Sequence, residues 1–405
     1  MNRDLDIIFF ALPRWDGNYS STSYSLAKEF SKNNRVFYID NPFTIKDFIT
    51  QNRSPKIQTR KSALIFGKNI YKKVKGLSDN FIAVTPPLTI PNNFLPSGYF
   101  YNALSSANDK LIFMTISRII KDYDVKKYIF INSFNPFYAR QLPEKIKPLL
   151  KIYQTVDDIA QSGYTSKHGP RLEKNAVASA DITLATSKQL TKLMKAYSSE
   201  VHYLPNAADV ELFKSAAFIK LDQPNELEGN EKKVIGYVGN LDRLRVDYPL
   251  LKKIAEFHKD KILLLVGPSK YETYKDFGLD KYPNVVITGG KKLEELPGYL
   301  QNINCAIIPF VCNELTKSIY PLKVNEYLAT GTPVVSSRFS DDINDFRDAA
   351  YLADSHEDFL NKIEEAIKSD NEENRKFRIQ FAEKNTWSAR VKSFWEIVDP
   401  YIESK

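Results

Sequence analysis

Two doubly wound α/β domains in tandem, each built on a parallel sheet, form the fold class that this sequence predicts. Three observations point to it. Apolar runs alternate with helical patterns; the runs are apolar throughout, as strands covered on both faces are; and the alternation stops at a polar stretch and then starts again. At 405 residues the chain also exceeds one average domain, since about 150 residues per domain suggests two or three.

The first run begins with residues 5–12 (LDIIFFAL), an uninterrupted apolar strand that ends at the turn signals Pro13 and Gly17-Asn18. Ser20-Ser21-Thr22 reads as the cap of a helix over 24–31, because short hydroxyl side chains satisfy the free amides of a first turn. Strands follow at 36–40, 81–84, 128–132, 152–155 and 182–185, with a proline-rich loop after the second of these. The stretch 222–233 (DQPNELEGNEKK) has no apolar periodicity and lies in the boundary region near 205–230. The second run places strands at 234–239, 262–266, 285–288, 305–310, 333–337 and 350–352, and helices at 247–258, 293–300 and 322–330. Three helical segments close the chain. The last, capped by Asn385-Thr386, carries Trp387, Val391, Phe394, Trp395 and Val398 on one stripe. The domains are therefore 1–205, joined by 386–405, and 206–385.

A hydrophobic fraction of 43% with 26% charged residues fits a globular chain with sizeable cores. The only cysteines, Cys305 and Cys312, form no metal-ligand pattern, and two in a chain of this size suit a reducing compartment. No stretch approaches the ~18 apolar residues of a membrane span, and the N-terminus reads as a strand, so a cytoplasmic protein is expected. GxGxxG, P-loop, HExxH, GxSxG and CxxC patterns are all absent, which removes the best sequence support for dinucleotide oxidoreductases, ATPases, zinc hydrolases and serine hydrolases. No metal site and no cofactor is expected. The net charge of +8 is unevenly placed: residues 46–75 hold nine Lys/Arg against one acid, Asp47, with apolar residues interleaved. Such a segment suits an anionic membrane surface, or it is a solvated loop and helix. Nucleic acid is not expected, because no recognised module surrounds it.

The chemistry is expected at the carboxyl ends of the second set of strands. Asn240-Leu-Asp-Arg243-Leu-Arg245 follows the strand ending at Gly239 and offers two cations before a helix, a setting that suits a diphosphate. Gly289-Gly290-Lys291 follows another strand, and its glycines let backbone approach a flat ligand, or simply form a turn. The segment 318–336, SIYPLKVNEYLATGTPVVS, sets Lys323 and Glu326 on one helical face. By itself that pair is also what a surface ion pair looks like.

These residues resemble a known family. PNAADVELF (205–213) resembles the PNGVDxxxF seam of retaining GT-B glycosyltransferases of the large family 4. NEYLATGTPVV (325–335) resembles that family's EAxAxGxPVV, and VGNLDRLR (238–245) its VGRLxxxKG. The Pro321-x-Lys323-x-x-Glu326 form is similar to that of cell-envelope subgroups such as the teichuronic acid glycosyltransferases. The resemblance implies a GT-B fold, two Rossmann-like domains facing across a cleft, with the C-terminal helix crossing back to the first. It implies transfer of a sugar, with retention and without metal, from a UDP- or GDP-type nucleotide sugar to a glycan or lipid-linked acceptor, in cell-surface polysaccharide biosynthesis. The enzyme would be cytoplasmic, free or peripheral on the inner face of the plasma membrane.

Carried onto this chain, Glu326 matches the second Glu of the family's E-x7-E motif and would bind the donor ribose. Arg245 falls at the phosphate-binding Lys, and Lys291 follows the strand beside the nucleobase. Gly239, Gly290 and Pro321 complete the donor side. Two positions depart from the family: Ser318 stands where the first Glu would be, and Asn240 where VGRL has Arg. Lys323 or Arg243 would supply the lost phosphate charge. On the acceptor side the first strand-to-helix loop, with Gly17 and Asn18, and the pair Asp157-Asp158 would meet the acceptor; capping explains the pair equally. His168, ahead of a helix near Arg171, is a catalytic candidate or a cap. The departures leave open a nucleotide-sugar binding module without catalysis. A sugar-nucleotide epimerase finds no suitable acid/base set.

Overall fold

The computed structural model describes residues 5–17, 21–161, 163 and 165–405. The chain divides into two compact units, Met1–Pro205 with Arg390–Lys405, and Asn206–Ala389. The polar stretch 222–233 lies inside the second unit rather than between the two, with Leu227 only 1% exposed.

In the first unit, β1 (Asp6–Ala11), β2 (Val36–Ile39), β3 (Tyr71–Lys73), β4 (Phe81–Val84), β5 (Tyr128–Ser133), β6 (Leu150–Thr155), β7 (Ile182–Ala185) and β8 (Val201–Tyr203) form one sheet. Its order is β3-β4-β2-β1-β5-β6-β7-β8, and every neighbouring pair is parallel except β3 with β4. The central strands are buried on both faces, as their mostly apolar sequences require, with Asn132, Ser133, Gln154 and Thr155 buried at the carboxyl ends of β5 and β6. The helix Thr22–Phe30 starts at Ser21, whose hydroxyl accepts from the Tyr24 amide. Helix Tyr99–Asp122 packs Ile112, Ile116 and Ile119 into the core beside β2 and β5. The C-terminal helix Trp387–Glu403 lays Phe394 and Trp395 against Phe30, with ring centroids 4.7 and 6.0 Å apart. Its Tyr401 hydroxyl meets His202 Nε2 at 2.8 Å and donates to Glu200.

In the second unit, β9 (Val234–Val238), β10 (Ile262–Val266), β11 (Val285–Gly289), β12 (Cys305–Ile308), β13 (Val334–Ser337) and β14 (Tyr351–Ala353) form a wholly parallel sheet. The order β11-β10-β9-β12-β13-β14 reverses direction between β9 and β12. The loops that leave these two strands are joined: Val311 N donates to Arg245 O at 2.9 Å, and Val246 bridges Phe310. Among the described residues, no helix is long and apolar enough to cross a membrane.

Candidate functional site

The reversal point of a doubly wound sheet is where a ligand-binding crevice opens, and in the second unit Gly239 stands there, at the end of β9. Its amide donates to Val266 O at 2.8 Å, and the Gly267 amide donates to Gly289 O at 2.9 Å. The three strand ends are thus stitched by backbone at glycines. At Gly267 no other residue fits: with φ +146°, a Cβ would lie 1.9 Å from the Gly239 carbonyl oxygen.

Above this ledge sits the helix Leu322–Ala329, entered through the buried Pro321. Tyr327 ties it to β9, its buried hydroxyl donating to Val238 O and accepting from Val238 N, both at 2.9 Å. One turn earlier, Lys323 is carried over Gly239 so closely that a Cβ there would meet Nζ at 2.2 Å. The ammonium lies 5.7 Å from the centroid of the Tyr237 ring, a cation–π arrangement, and Tyr237 is held by its own hydroxyl donating to Asn240 O at 2.9 Å.

Glu326 lies on the same helical face, half-buried like Lys323. Neither side chain makes a hydrogen bond or a contact ion pair among the described residues. Burial pushes the Lys323 pKa down; Glu326 pulls it up and Arg245 lowers it further. Burial lifts the Glu326 pKa, Lys323 opposes that, and Asp209 adds to it. Arg245, half-buried, pairs loosely with the Asp242 carboxylate at 3.8 Å, and its buried Nε has no hydrogen-bond partner among the described residues. Two cations with open donors and one carboxylate with open lone pairs therefore stand at the crevice. A ligand with a dianionic group and a vicinal diol would satisfy all three.

The structure deals differently with the remaining sequence candidates. Arg243 and Asn240 are exposed beside the cluster. Ser318 is 1% exposed at the end of helix Glu314–Lys317, so its hydroxyl points into the fold. Gly290 is exposed, next to Pro268. Lys291 is not brought into the cluster: it pairs with Glu226 at 2.6 Å and lies over the Tyr299 ring. In the first unit, Asp158 is a cap, accepting from Ala160 N at 3.0 Å, and Asp157 is half-buried just beyond β6. His168, another first-unit candidate, is turned into the fold. It is 1% exposed and stacked on Tyr101, with Nε2 3.0 Å from Leu95 O and Nδ1 3.4 Å from Ser97 Oγ, so it pins the proline-rich loop. Gly17 is exposed, its amide donating to Arg14 O at 3.1 Å; Asn18 lies outside the described residues.

Tyr237 and Gly267 were missed as site residues in the sequence. The signal for Gly267 was available: LLLVGPS repeats the strand-then-glycine form of YVGN. Among the described residues no group of three or more His, Cys, Asp or Glu is placed to hold a metal.

Residues 232–369 match the family described as glycosyl transferases group 1. The matched stretch lies in the second unit and contains the whole Lys323–Glu326–Arg245 cluster. One similar protein is assigned as the teichuronic acid biosynthesis glycosyltransferase TuaH of Bacillus subtilis strain 168, 31% identical over 151 residues. That stretch spans only 37% of this chain and 37% of the relative. Among solved structures, sucrose-phosphate synthase of Thermosynechococcus elongatus is 14% identical with a TM-score of 0.68, covering 99% of this chain and 100% of that one. HepE of Anabaena, in complex with UDP, is 12% identical with a TM-score of 0.64, covering 98% and 100%. At such identities the likeness concerns the fold: two Rossmann-like units of the GT-B type.

Proposed function

We propose that the chain transfers a sugar, with retention, from a nucleoside diphosphate sugar of UDP or GDP type to a glycan or lipid-linked acceptor in cell-surface polysaccharide biosynthesis. The observation that carries this reading is the pair of half-buried polar groups on one helix, neither with a hydrogen bond or contact ion pair among the described residues: Lys323 over Gly239, and Glu326 one turn on. In this reading Lys323 and Arg245 hold the diphosphate and stabilise the charge that develops as it departs, while Glu326 accepts from the ribose hydroxyls. The acceptor hydroxyl attacks the face from which the diphosphate leaves. The half-buried Asp157 is the acceptor-side carboxylate, and the reaction takes place in the cytoplasm at the inner face of the membrane. TuaH, assigned to teichuronic acid biosynthesis, supports the polysaccharide role, and HepE with UDP supports the donor class.

A second reading, a nucleotide-sugar binding module without catalysis, draws on Ser318, a buried hydroxyl where the family resemblance expects a carboxylate. A thermal-shift screen of UDP, GDP and their sugars, followed by transfer assays, separates the two, because a ligand stabilises the folded state that binds it. We expect stabilisation by one nucleotide class, and turnover reduced by about two orders of magnitude or more in Lys323→Ala and Arg245→Ala. Binding without transfer selects the module. Near-wild-type transfer in both variants removes the assignment. Retention is read from the anomeric proton of the product by NMR.

A further inference from the structure

The basic stretch 46–75 folds into the helices Ile45–Thr50, Pro55–Gln58 and Lys61–Phe66 and the edge strand β3. One of its nine cations, Arg60, is turned inward. The helix Lys61–Phe66 buries Ala63 and Leu64, yet leaves Ile65 45% and Phe66 70% exposed between the exposed Lys61 and Lys68. The Gly67 carbonyl that follows accepts from Arg118 Nη1 at 2.9 Å, which sets this helix end against helix Tyr99–Asp122. There Lys110, Met114 and Arg118 share an outward face around a shallow, mostly apolar groove, with Met114 62% exposed. The nearby acids are already engaged. Asp122 accepts from the Tyr71 hydroxyl at 2.8 Å and from Arg118 at 3.3 Å, and Asp109 accepts from the Ala139 amide at 2.8 Å.

We propose that this face docks the first unit onto an anionic lipid bilayer, with Phe66 and Met114 entering the headgroup layer and Lys61, Lys68 and Lys110 on lipid phosphates. Large apolar side chains left in water on a basic face mark an interaction surface. The charge selects an anionic occupant. The apolar groups stand out from the surface between cations, the pattern of an interfacial anchor rather than of a pocket closed by a folded partner. This docking does not depend on glycosyl transfer, and its test does not use activity.

The test is flotation of the full chain with vesicles of phosphatidylcholine, with and without phosphatidylglycerol. At low salt we expect the wild type to float only with the anionic vesicles and to be released at high salt, where surface charge is screened. Lys61→Glu/Lys68→Glu/Lys110→Glu should lower partitioning by about a hundredfold or more, and Phe66→Ser/Met114→Ser by about tenfold. Lys252→Glu/Lys253→Glu/Lys281→Glu, an equal charge change on exposed lysines of the second unit, should float like the wild type. Circular dichroism melts establish that each variant is folded. Wild-type protein that stays with the soluble fraction, or equal loss in the second-unit variant, overturns the proposal. The first result would point to an acidic protein as the occupant, and the second to unspecific attraction by net charge.

Discussion

Gly239→Ala tests whether the position of Lys323, and not only its charge, makes the proposed donor site. The added methyl would stand 2.2 Å from Lys323 Nζ, 2.4 Å from Cε and 3.0 Å from the Tyr237 hydroxyl oxygen. Since such atoms rest at about 3.5–4.0 Å, the ammonium must move by more than about 1 Å. The obstacle is the free end of a flexible side chain, so the lysine yields and the backbone stays. Expelling it from its rotamer, together with the unusual φ of +158°, should cost about 1–2 kcal/mol, a fall in Tm of a few degrees for a unit of this size. The binding effect is larger. A charge-assisted hydrogen bond from ammonium to phosphate is worth about 1.5–3 kcal/mol, so the Kd for the accepted nucleoside diphosphate should rise roughly 10- to 150-fold.

Titration calorimetry of wild type, Gly239→Ala, Lys323→Ala and the double variant closes the cycle. If the methyl acts by evicting the ammonium, it costs no further affinity once Lys323 is alanine. An undiminished loss from Gly239→Ala in the Lys323→Ala background would refute the reasoning. Gly267→Ala provides the contrast: its Cβ would lie 1.9 Å from the Gly239 carbonyl oxygen, which cannot swing away, so the second unit should fail to fold.

Two further predictions concern the first unit. Glu173, 4% exposed, accepts from the Tyr153 and Thr155 hydroxyls at 2.9 and 2.8 Å, and burial lifts its pKa from 4.5 to about 7. The folded state therefore holds a proton that the unfolded chain releases first. Its contribution is complete below about pH 4.5 and lost as pH rises through about 7, a loss of roughly 3 kcal/mol that urea unfolding should show in the wild type but not in Glu173→Gln; equal pH dependence in both would contradict this. Arg60→Ala should cost about 3–5 kcal/mol at pH 8, because Arg60 joins Asp16 at 2.7 Å to Asp40 at 2.8 Å inside the fold. The penalty should shrink below about pH 6, where Asp40, lifted to about 6 by burial, takes up a proton; a penalty that does not change with pH would show that the loss is one of packing.

What was legible in the sequence follows from how local each cause is. The strands 81–84 and 182–185 match β4 and β7 end to end, because a strand covered on both faces is apolar at most positions, Thr183 being the one exception in these two. β3, Tyr71–Lys73, has no apolar run to reveal it: it is a short antiparallel edge and half of its surface is water. Arg60 reads as one more surface cation until Asp40 and Asp16, 20 and 44 residues away, close around it. The Lys323–Glu326 spacing is visible because one helix carries both residues. Their meaning is not visible there, since it depends on which strands become neighbours. Only the β10-β9-β12 order brings Gly267 beneath Gly239 and Tyr237 beneath Lys323. A lysine on a free surface helix would pair with the glutamate one turn away and lose its use to a ligand. Here Tyr327 fixes the helix to β9, Tyr237 gives the ammonium a face to rest on, and a missing Cβ gives it room. Lys323 and Glu326 can therefore stay apart, each with hydrogen-bonding capacity in reserve, and that separation turns an ordinary helical spacing into the proposed donor site.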